Sequence, residues 1–305
     1  MSVSAQSRNN LFAINYRRGV FLVLLAGVCW SSMGIGIRYM EAANVWQILL
    51  FRSMALAPFL FLIITLKSRG KPLDAIRKAG RAGVIGGLAL VFAFTGGIYA
   101  IQETTVANAM FLFAAAPFFA ALLARLLLGE KVRKGTWIAM FVALAGVTVM
   151  VGEGISLGHL NGNLSALVSA LGFAVFTIAL RWRKLDDMMP TVFLGGIFAL
   201  VTAGTVCLAA GYSLDIPAND ISISLALGVF QVGAGLVLYT FGSTAVPAVE
   251  LALLSMTEVV LGPIWVWLAI GEAADFYTLL GGAVIMAAII GNALSGIRRK
   301  PVPLI

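Results

Sequence analysis

The sequence predicts an all-α polytopic membrane protein in which ten transmembrane helices form two inverted five-helix repeats. Three observations lead to this prediction: long apolar segments, a one-sided distribution of basic residues, and a match between the two halves of the chain. Hydrophobic residues make up 61% of the 305 residues and charged residues only 11%. A water-soluble domain of this size needs far more surface charge, so the composition indicates a chain that lies in lipid.

The apolar segments are each long enough to cross a bilayer, which takes about 20 residues of helix. They are continuous rather than alternating, and a backbone in lipid must satisfy its own hydrogen bonds, so helices are predicted rather than a barrel. The predicted spans are 19–38, 46–66, 83–101, 106–128, 136–152, 161–181, 190–210, 221–243, 248–271 and 277–295. Residues 67–81 form the longest predicted polar loop.

The basic residues predict the orientation of these spans. With the N-terminus in the cytoplasm, all of the 21 Lys and Arg residues except Arg38, Arg52 and Arg125 fall at the cytoplasmic surface. This pattern follows the positive-inside rule and predicts that both termini are cytoplasmic. The net charge of +8 is therefore a topological signal. No loop is long enough to read a nucleic acid, which is not an expected partner.

The two halves of the chain align when one is shifted by 142 or 143 residues. Gly129-Glu130 then falls on Gly271-Glu272, and Arg38 falls on Arg181. Because five spans is an odd number, the second copy is inverted, as in many secondary transporters. The predicted organisation is a cytoplasmic segment (1–18), a first repeat (19–152), a second repeat (161–295) and a cytoplasmic tail (296–305).

Some of these residues also carry a family resemblance. The sequence CWSS at 29–32 with Arg38 in span one, and LLLGE at 126–130 recurring as WLAIGE at 267–272, resemble the ten-helix, EamA-type branch of the drug/metabolite transporter superfamily. More closely, the chain is similar to bacterial inner-membrane exporters of aromatic amino acids, the YddG type. The resemblance implies export of amino acids and related small molecules across a bacterial inner membrane.

Polar and aromatic residues inside the spans are the predicted substrate contacts, because each polar group costs free energy in lipid. An aromatic-rich site with few polar groups suits an aromatic or apolar substrate. The predicted substrate-binding residues are Trp30, Ser31, Ser32, Tyr99, Asn108, Phe111, Gln231, Tyr239, Ser255 and Glu258.

Three charged residues within spans have open interpretations. Glu258 lies deepest and is either a proton or substrate-amine site, or a neutral, hydrogen-bonded acid that locks helix packing. Arg52 could pair with a carboxylate of the protein or attract one of the substrate, whereas Arg125 can reach the cytoplasmic surface. Pro58, Pro117 and Pro263 predict helix bends.

Catalytic motifs are absent from the sequence. There is no phosphate-binding loop and no HExxH or GxSxG sequence, so no enzyme is expected. The single histidine, His159, is interpreted as a solvated loop residue, and Cys29 and Cys207 as small apolar packers without a disulfide. No cofactor, metal or obligate protein partner is expected; the expected partners are an amino acid and the lipid bilayer.

The leading hypothesis is an exporter that works by alternating access without ATP. The first alternative is a proton-coupled exporter of lipophilic drugs or other small metabolites. A membrane-embedded enzyme or a scaffold is a further alternative, which the missing catalytic motifs and the inverted repeat disfavour.

Overall fold

A computed structural model describes residues 2–156, 158–185 and 187–297, and within these residues every regular element is a helix. Ten helical segments are long and apolar enough to cross a membrane, which confirms the predicted spans. The helices are α1 (Ser2–Arg38), α2 (Val45–Lys67), α3 (Pro72–Glu103), α4 (Val106–Phe113), α5 (Ala116–Leu128), α6 (Lys134–Ser156), α7 (Leu160–Trp182), α8 (Met189–Ala209), α9 (Ala218–Ala226), a π-helix (Leu227–Ala234), α10 (Gly235–Ser243), α11 (Ala248–Ile270) and α12 (Phe276–Ile297).

Two of the ten spans are built from more than one element. Span four combines α4 and α5, and the chain leaves the helix between them at Ala114 and Ala115. Pro117 lies in the first turn of α5, where its missing N–H costs nothing. Pro58 and Pro263 lie inside the uninterrupted helices α2 and α11, so only Pro117 coincides with a break.

The predicted polar loop at 67–81 is largely wrong as a loop, because α3 begins at Pro72. Proline is favoured at a helix start, and Asp74 in the first turn complements the helix dipole. The polar start of α3, residues 72–79, is separated from the apolar remainder of the helix by Gly80, whose φ of 53° and ψ of −145° are not helical. A polar helix can extend beyond the lipid, and hydropathy alone does not distinguish it from a loop.

Span eight contains a π-helix that the sequence did not predict. Here the chain approaches its neighbours closely: a Cβ on Gly228 would overlap the backbone carbonyl of Arg52 in α2, and one on Gly235 would overlap the Trp30 indole in α1. A π-helix bonds residue i to residue i+5, and its wider turn rotates the side chains that follow it relative to those of a continuous α-helix. The span therefore packs against α2 at one depth and against α1 at another.

Helices of the first half (α1–α6) pack extensively on helices of the second half (α7–α12). The main pairs are α3 with α7 and α8, α1 with α10 and α11, α2 with α8, and α6 with α12. Small residues make these approaches possible: Gly172 lies against the α3 backbone at Ala89 and Ala93, and Gly146 lies against Gly281. Side-chain contacts between α1 and α11 keep a constant separation of 234 residues, so these two helices run parallel.

Candidate functional site

Aromatic and hydroxyl side chains meet where α1 packs against α10 and α11. The rings of Trp30 and Tyr239 lie 5.3 Å apart between centroids, inclined at 41°. The Trp265 indole N–H donates to Ser31 Oγ at 2.9 Å, and that hydroxyl donates to the carbonyl of Val28 at 2.8 Å. We call Trp30, Ser31, Tyr239, Ser255, Glu258 and Trp265 the α1/α10/α11 cluster.

The polar side of this cluster comes from α11. Ser255 and Glu258 are three residues apart on one face of α11, and Ser255 donates to the carbonyl of Leu251 at 2.8 Å. The cluster therefore offers three aromatic side chains, three hydroxyls and a carboxyl within spans one, eight and nine, a combination that suits an aromatic molecule with a polar end.

Glycines bring the backbones close enough for these contacts. The face of α10 at Gly235 receives the Trp30 indole directly. On α1, a Cβ at Gly27 would come within 3.1 Å of Thr257 Cβ and 3.6 Å of the Glu258 backbone nitrogen. Glu258 is half-buried, and within the described part of the chain it has no ion-pair partner.

Five of the ten predicted contacts thus lie together: Trp30, Ser31, Tyr239, Ser255 and Glu258. Trp265 belongs with them, although the sequence analysis did not select it. It lies seven residues after Glu258 on the same helix face, and this spacing was the signal that could have identified it.

Ser32 follows Ser31 in α1 and likewise donates to a carbonyl of its own helix, that of Cys29, at 2.6 Å. The structure places three other predicted contacts elsewhere. The Asn108 amide donates to Thr104 Oγ1 at 3.0 Å and to the Asn163 side chain, and it is buried. Phe111 lies against Gly282 of α12, where a Cβ would overlap the ring. Tyr99 is half-buried against the apolar core.

Gln231, the remaining predicted contact, lies on the π-helix and is 7% exposed, with no hydrogen-bond partner for its Oε1 in the described structure. Arg52 is 1% exposed, and its Cζ lies 4.6 Å from the centroid of the Phe94 ring. Its Nε and Nη2 have no partner in the described structure. The sequence analysis noted Arg52 but did not include it among the substrate contacts.

Two ion pairs link the halves at opposite ends of the membrane helices. Arg38 Nε lies 2.6 Å from Glu272 Oε2, and Arg38 also donates to the Thr104 carbonyl at 2.6 Å. Arg181 Nη2 lies 2.7 and 2.9 Å from the two oxygens of Glu130. The sequence alignment matched Arg38 with Arg181 and Glu130 with Glu272, but it did not predict that each arginine pairs with the glutamate of the other half.

His159 differs from its interpretation as a solvated loop residue. It is half-buried, and its Nδ1 lies 2.9 Å from the carbonyl oxygen of Glu103 at the end of α3. Among the residues that the structure describes, no group of His, Cys, Asp and Glu side chains is suited to hold a metal ion. Cys29 and Cys207 are free.

Ten membrane-crossing helices with a small polar and aromatic cluster between three of them are typical of multi-pass membrane transporters. Comparison with known proteins identifies the family. The chain belongs to the EamA-like transporter family, whose sequence profile matches residues 17–152 and again residues 160–294. The family is part of the drug/metabolite transporter superfamily, as the sequence resemblance implied.

Similar proteins are also named as transporters rather than enzymes. The pseudopaline exporter CntI of Pseudomonas aeruginosa strain UCBPP-PA14 is 27% identical over 283 residues, covering 90% of this chain and 95% of that protein. An uncharacterized transporter of Helicobacter pylori strain J99 is 24% identical over 296 residues, covering 92% and 96%. One crystal structure shares the fold with a TM-score of 0.61 at 20% identity, covering 92% and 99% of the two chains.

Proposed function

We propose that the protein is a bacterial inner-membrane exporter that moves aromatic or large apolar amino acids, and related metabolites, out of the cytoplasm by alternating access. The observation that carries this proposal is the α1/α10/α11 cluster, in which the rings of Trp30 and Tyr239 contact each other and Glu258 lies on the neighbouring helix α11. The name of the Pseudomonas aeruginosa relative, an exporter, supports the direction of transport.

In this proposal the cluster binds the aromatic side chain and the ammonium group of the substrate. An aromatic side chain gains free energy by leaving water and by offset contact with the rings of Trp30 and Tyr239. The ammonium group of an amino acid donates to the Glu258 carboxylate, and the hydroxyls of Tyr239 and Ser255 supply further hydrogen bonds. The site lies near mid-membrane, where a transporter must present it to each side in turn.

Alternating access requires that the two ends open at different times. We assign the Arg38–Glu272 end to the exterior and the Arg181–Glu130 end to the cytoplasm, since this places both termini in the cytoplasm. Each ion pair joins the first half to the second. Separating one pair while the other stays formed lets the halves rock around the central cluster.

Efflux from preloaded cells or proteoliposomes tests the proposal. Tryptophan and phenylalanine are expected to leave faster than aspartate and lysine, and Tyr239→Ala is expected to reduce tryptophan efflux at least about tenfold. Phe111→Ala, which alters a ring at the α4–α12 contact instead, is the matched control. Equal rates for tryptophan, aspartate and lysine would contradict the aromatic preference.

A second candidate function is a proton-coupled exporter of lipophilic drugs or other small metabolites. It is favoured by the Glu258 carboxyl, which lies within span nine and has no ion-pair partner in the described structure. Such a carboxyl can carry a proton across the membrane. The test is efflux of a lipophilic cation under an imposed pH gradient. Efflux that depends on the gradient in the wild type and not in Glu258→Gln would support this function over amino-acid export.

A further inference from the structure

We propose that the Arg52 guanidinium is the binding site for a carboxylate group of the transported molecule, an inference that rests on the proposed export function. Arg52 lies in α2, two turns from the start of the helix, and its side chain is 1% exposed. The Nε and Nη2 groups are buried and have no hydrogen-bond partner in the described structure. The Phe94 ring covers the guanidinium at 4.6 Å.

An arginine in this environment needs an anion. A guanidinium stays protonated in proteins, so burial cannot neutralise it as it can a lysine or a carboxylic acid. The attraction of one aromatic ring does not replace the lost hydrogen bonds to water. A buried cation without a counter-ion destabilises the fold, and such residues in membrane spans mark substrate or ion pathways.

The described part of the protein does not supply that anion. Its three ion pairs involve other residues. The carboxylate of Asp220, at the start of α9, is occupied by the backbone N–H groups of Glu41, Ala42 and Ala43 at 2.8–2.9 Å. Glu258 lies on α11, whose main contacts are with α1, α4 and α12, and it forms no ion pair with Arg52 in the described structure. The missing partner is therefore a bound molecule.

The neighbouring π-helix adds a second, independent observation. It packs on α2, and Gly228 lies directly against the Arg52 backbone carbonyl. Gln231, on the same π-helix, has a buried Oε1 without a partner in the described structure. π-Helical turns occur frequently at functional sites. Arg52 therefore lies at a π-helical contact, while the unoccupied Gln231 acceptor on the same π-helix suits an N–H donor, such as the ammonium group of an amino acid, and not the carboxylate itself.

The charge balance selects a carboxylate over a phosphate. The planar guanidinium fork matches either group, but a phosphate carries more negative charge than one arginine neutralises. The other arginine within a span, Arg125, is exposed and lies on α5. One buried cation fits one monoanion, and the carboxylate of an amino acid is such a group.

Three ligands that share an indole ring test this site on purified full-length protein. Tryptophan carries a carboxylate and an amine, 3-indolepropionate only the carboxylate, and tryptamine only the amine. We expect Arg52→Gln to weaken the binding of tryptophan and 3-indolepropionate about 10- to 100-fold and to leave tryptamine within about twofold. Arg52→Lys, which keeps the charge but loses the fork, is expected to fall between the two.

Thermal stability separates a binding role from a structural one. Without ligand, Arg52→Gln and Arg52→Met are expected to melt at or above the wild-type temperature, because each removes an unpaired buried charge. With 3-indolepropionate, the wild-type Tm is expected to rise and that of Arg52→Gln to stay constant. Arg125→Gln makes the same chemical change at an exposed position and is expected to retain the ligand response.

The outcomes distinguish this inference from the proposed function. If both neutral variants melt well below wild type, or if Arg52→Gln weakens tryptamine as much as tryptophan, the inference is overturned while aromatic export stands. If aromatic ligands fail but aspartate or malate raises the Tm only when Arg52 is present, the carboxylate site stands and the aromatic preference is overturned. A wild-type protein that responds to tryptamine and to no carboxylate contradicts the inference outright.

Discussion

Two parallel helix pairs, related by the repeat in the sequence, hold the halves of this protein together in different ways. In the first pair, α1 lies against α11, and Arg38 meets Glu272. In the second, α7 lies against α5, and Arg181 meets Glu130. Equivalent residues therefore pair at both ends. At one end the arginine comes from the first half and the glutamate from the second, and at the other end these origins are exchanged.

The two ion pairs differ in burial and in the number of hydrogen bonds around them. The side chains of Arg38 and Glu272 are 22% and 18% exposed. They also bond to backbone groups at the start of span four: Arg38 donates to the Thr104 carbonyl, and Glu272 accepts from the Val106 N–H at 2.6 Å. Arg181 and Glu130 are 49% and 42% exposed and bond only to each other within the described structure.

This difference shows that the repeat determines which residues form the two ion pairs, whereas the free energy of each pair depends on its local surroundings. An exposed pair contributes roughly 0–1 kcal/mol because water solvates its partners equally well when they separate. A partly buried pair with additional backbone bonds is more costly to break, since the separated groups lose several partners. The Arg38 end is therefore the more firmly closed end in this conformation.

The first test asks which end faces the outside, and its expected effect is all or none. Reporter domains inserted after Gly158 and fused to the C-terminus are expected to report opposite compartments, with the C-terminus cytoplasmic. Gly158 is exposed, and no atom lies within 4 Å of a Cβ placed on it, which makes it a suitable position for an insertion. Finding both reporters in one compartment would contradict the ten-span topology and the assignment of the two ends.

The second test measures the energetic difference between the ends. Glu272→Gln is expected to destabilise the purified protein by about 2 kcal/mol, because Arg38 is left partly buried without its counter-ion. The matched change Glu130→Gln is expected to cost about 0.5 kcal/mol or less. Thermal or denaturant unfolding in detergent provides the comparison. Equal losses would show that burial at the Arg38 end has no energetic consequence.

The third test follows the opening of the Arg38 end. In a background without Cys29 and Cys207, Ser31→Cys places a thiol at a position that is fully buried in the α1/α10/α11 cluster. Adding Glu272→Gln is expected to raise its labelling by an impermeant maleimide, applied from outside, about tenfold, which corresponds to about 1.4 kcal/mol. Adding Glu130→Gln is expected to leave that rate unchanged. An identical increase in the labelling rate for Glu272→Gln and Glu130→Gln would show that neither ion pair controls the opening of one particular end.

The two ion pairs also illustrate which features of the structure can be predicted from the sequence and which cannot. The number of spans follows from hydropathy, which acts through the bilayer and needs no tertiary contact. The basic residues predict the direction of the spans, which the reporter test checks. The pairing of Arg38 with Glu272 joins residues 234 apart, and alignment of the halves does not reveal such a contact. The π-helix depends on how closely Gly228 approaches α2, which is likewise a tertiary property.

The sequence selects candidate site residues by chemical type but does not reveal which helix face they occupy. In a membrane helix both the lipid-facing and the core-facing sides are apolar, so the 3.6-residue contrast that marks the inner face of a soluble helix is weak. Phe111 and Tyr239 were equally good aromatic candidates, yet Phe111 packs on α12 and Tyr239 adjoins Trp30. The buried Asn108 was a plausible ligand, and its amide instead bonds to Asn163.

The last test uses salt and has the smallest expected effect. At about 1 M salt the Debye length falls to about 3 Å, so exposed charges are largely screened. The stability difference between wild type and Glu130→Gln is expected to fall from a few tenths of a kcal/mol to near zero between low and high salt, because water and ions reach both Arg181 and Glu130. The difference for Glu272→Gln is expected to persist, since two of the contacts around Arg38 and Glu272 are to backbone groups that salt does not screen. Parallel unfolding curves at two salt concentrations make the measurement. A salt-sensitive loss at Glu272 would mean that the Arg38 end is held mainly by exposed charge, as the Arg181 end is.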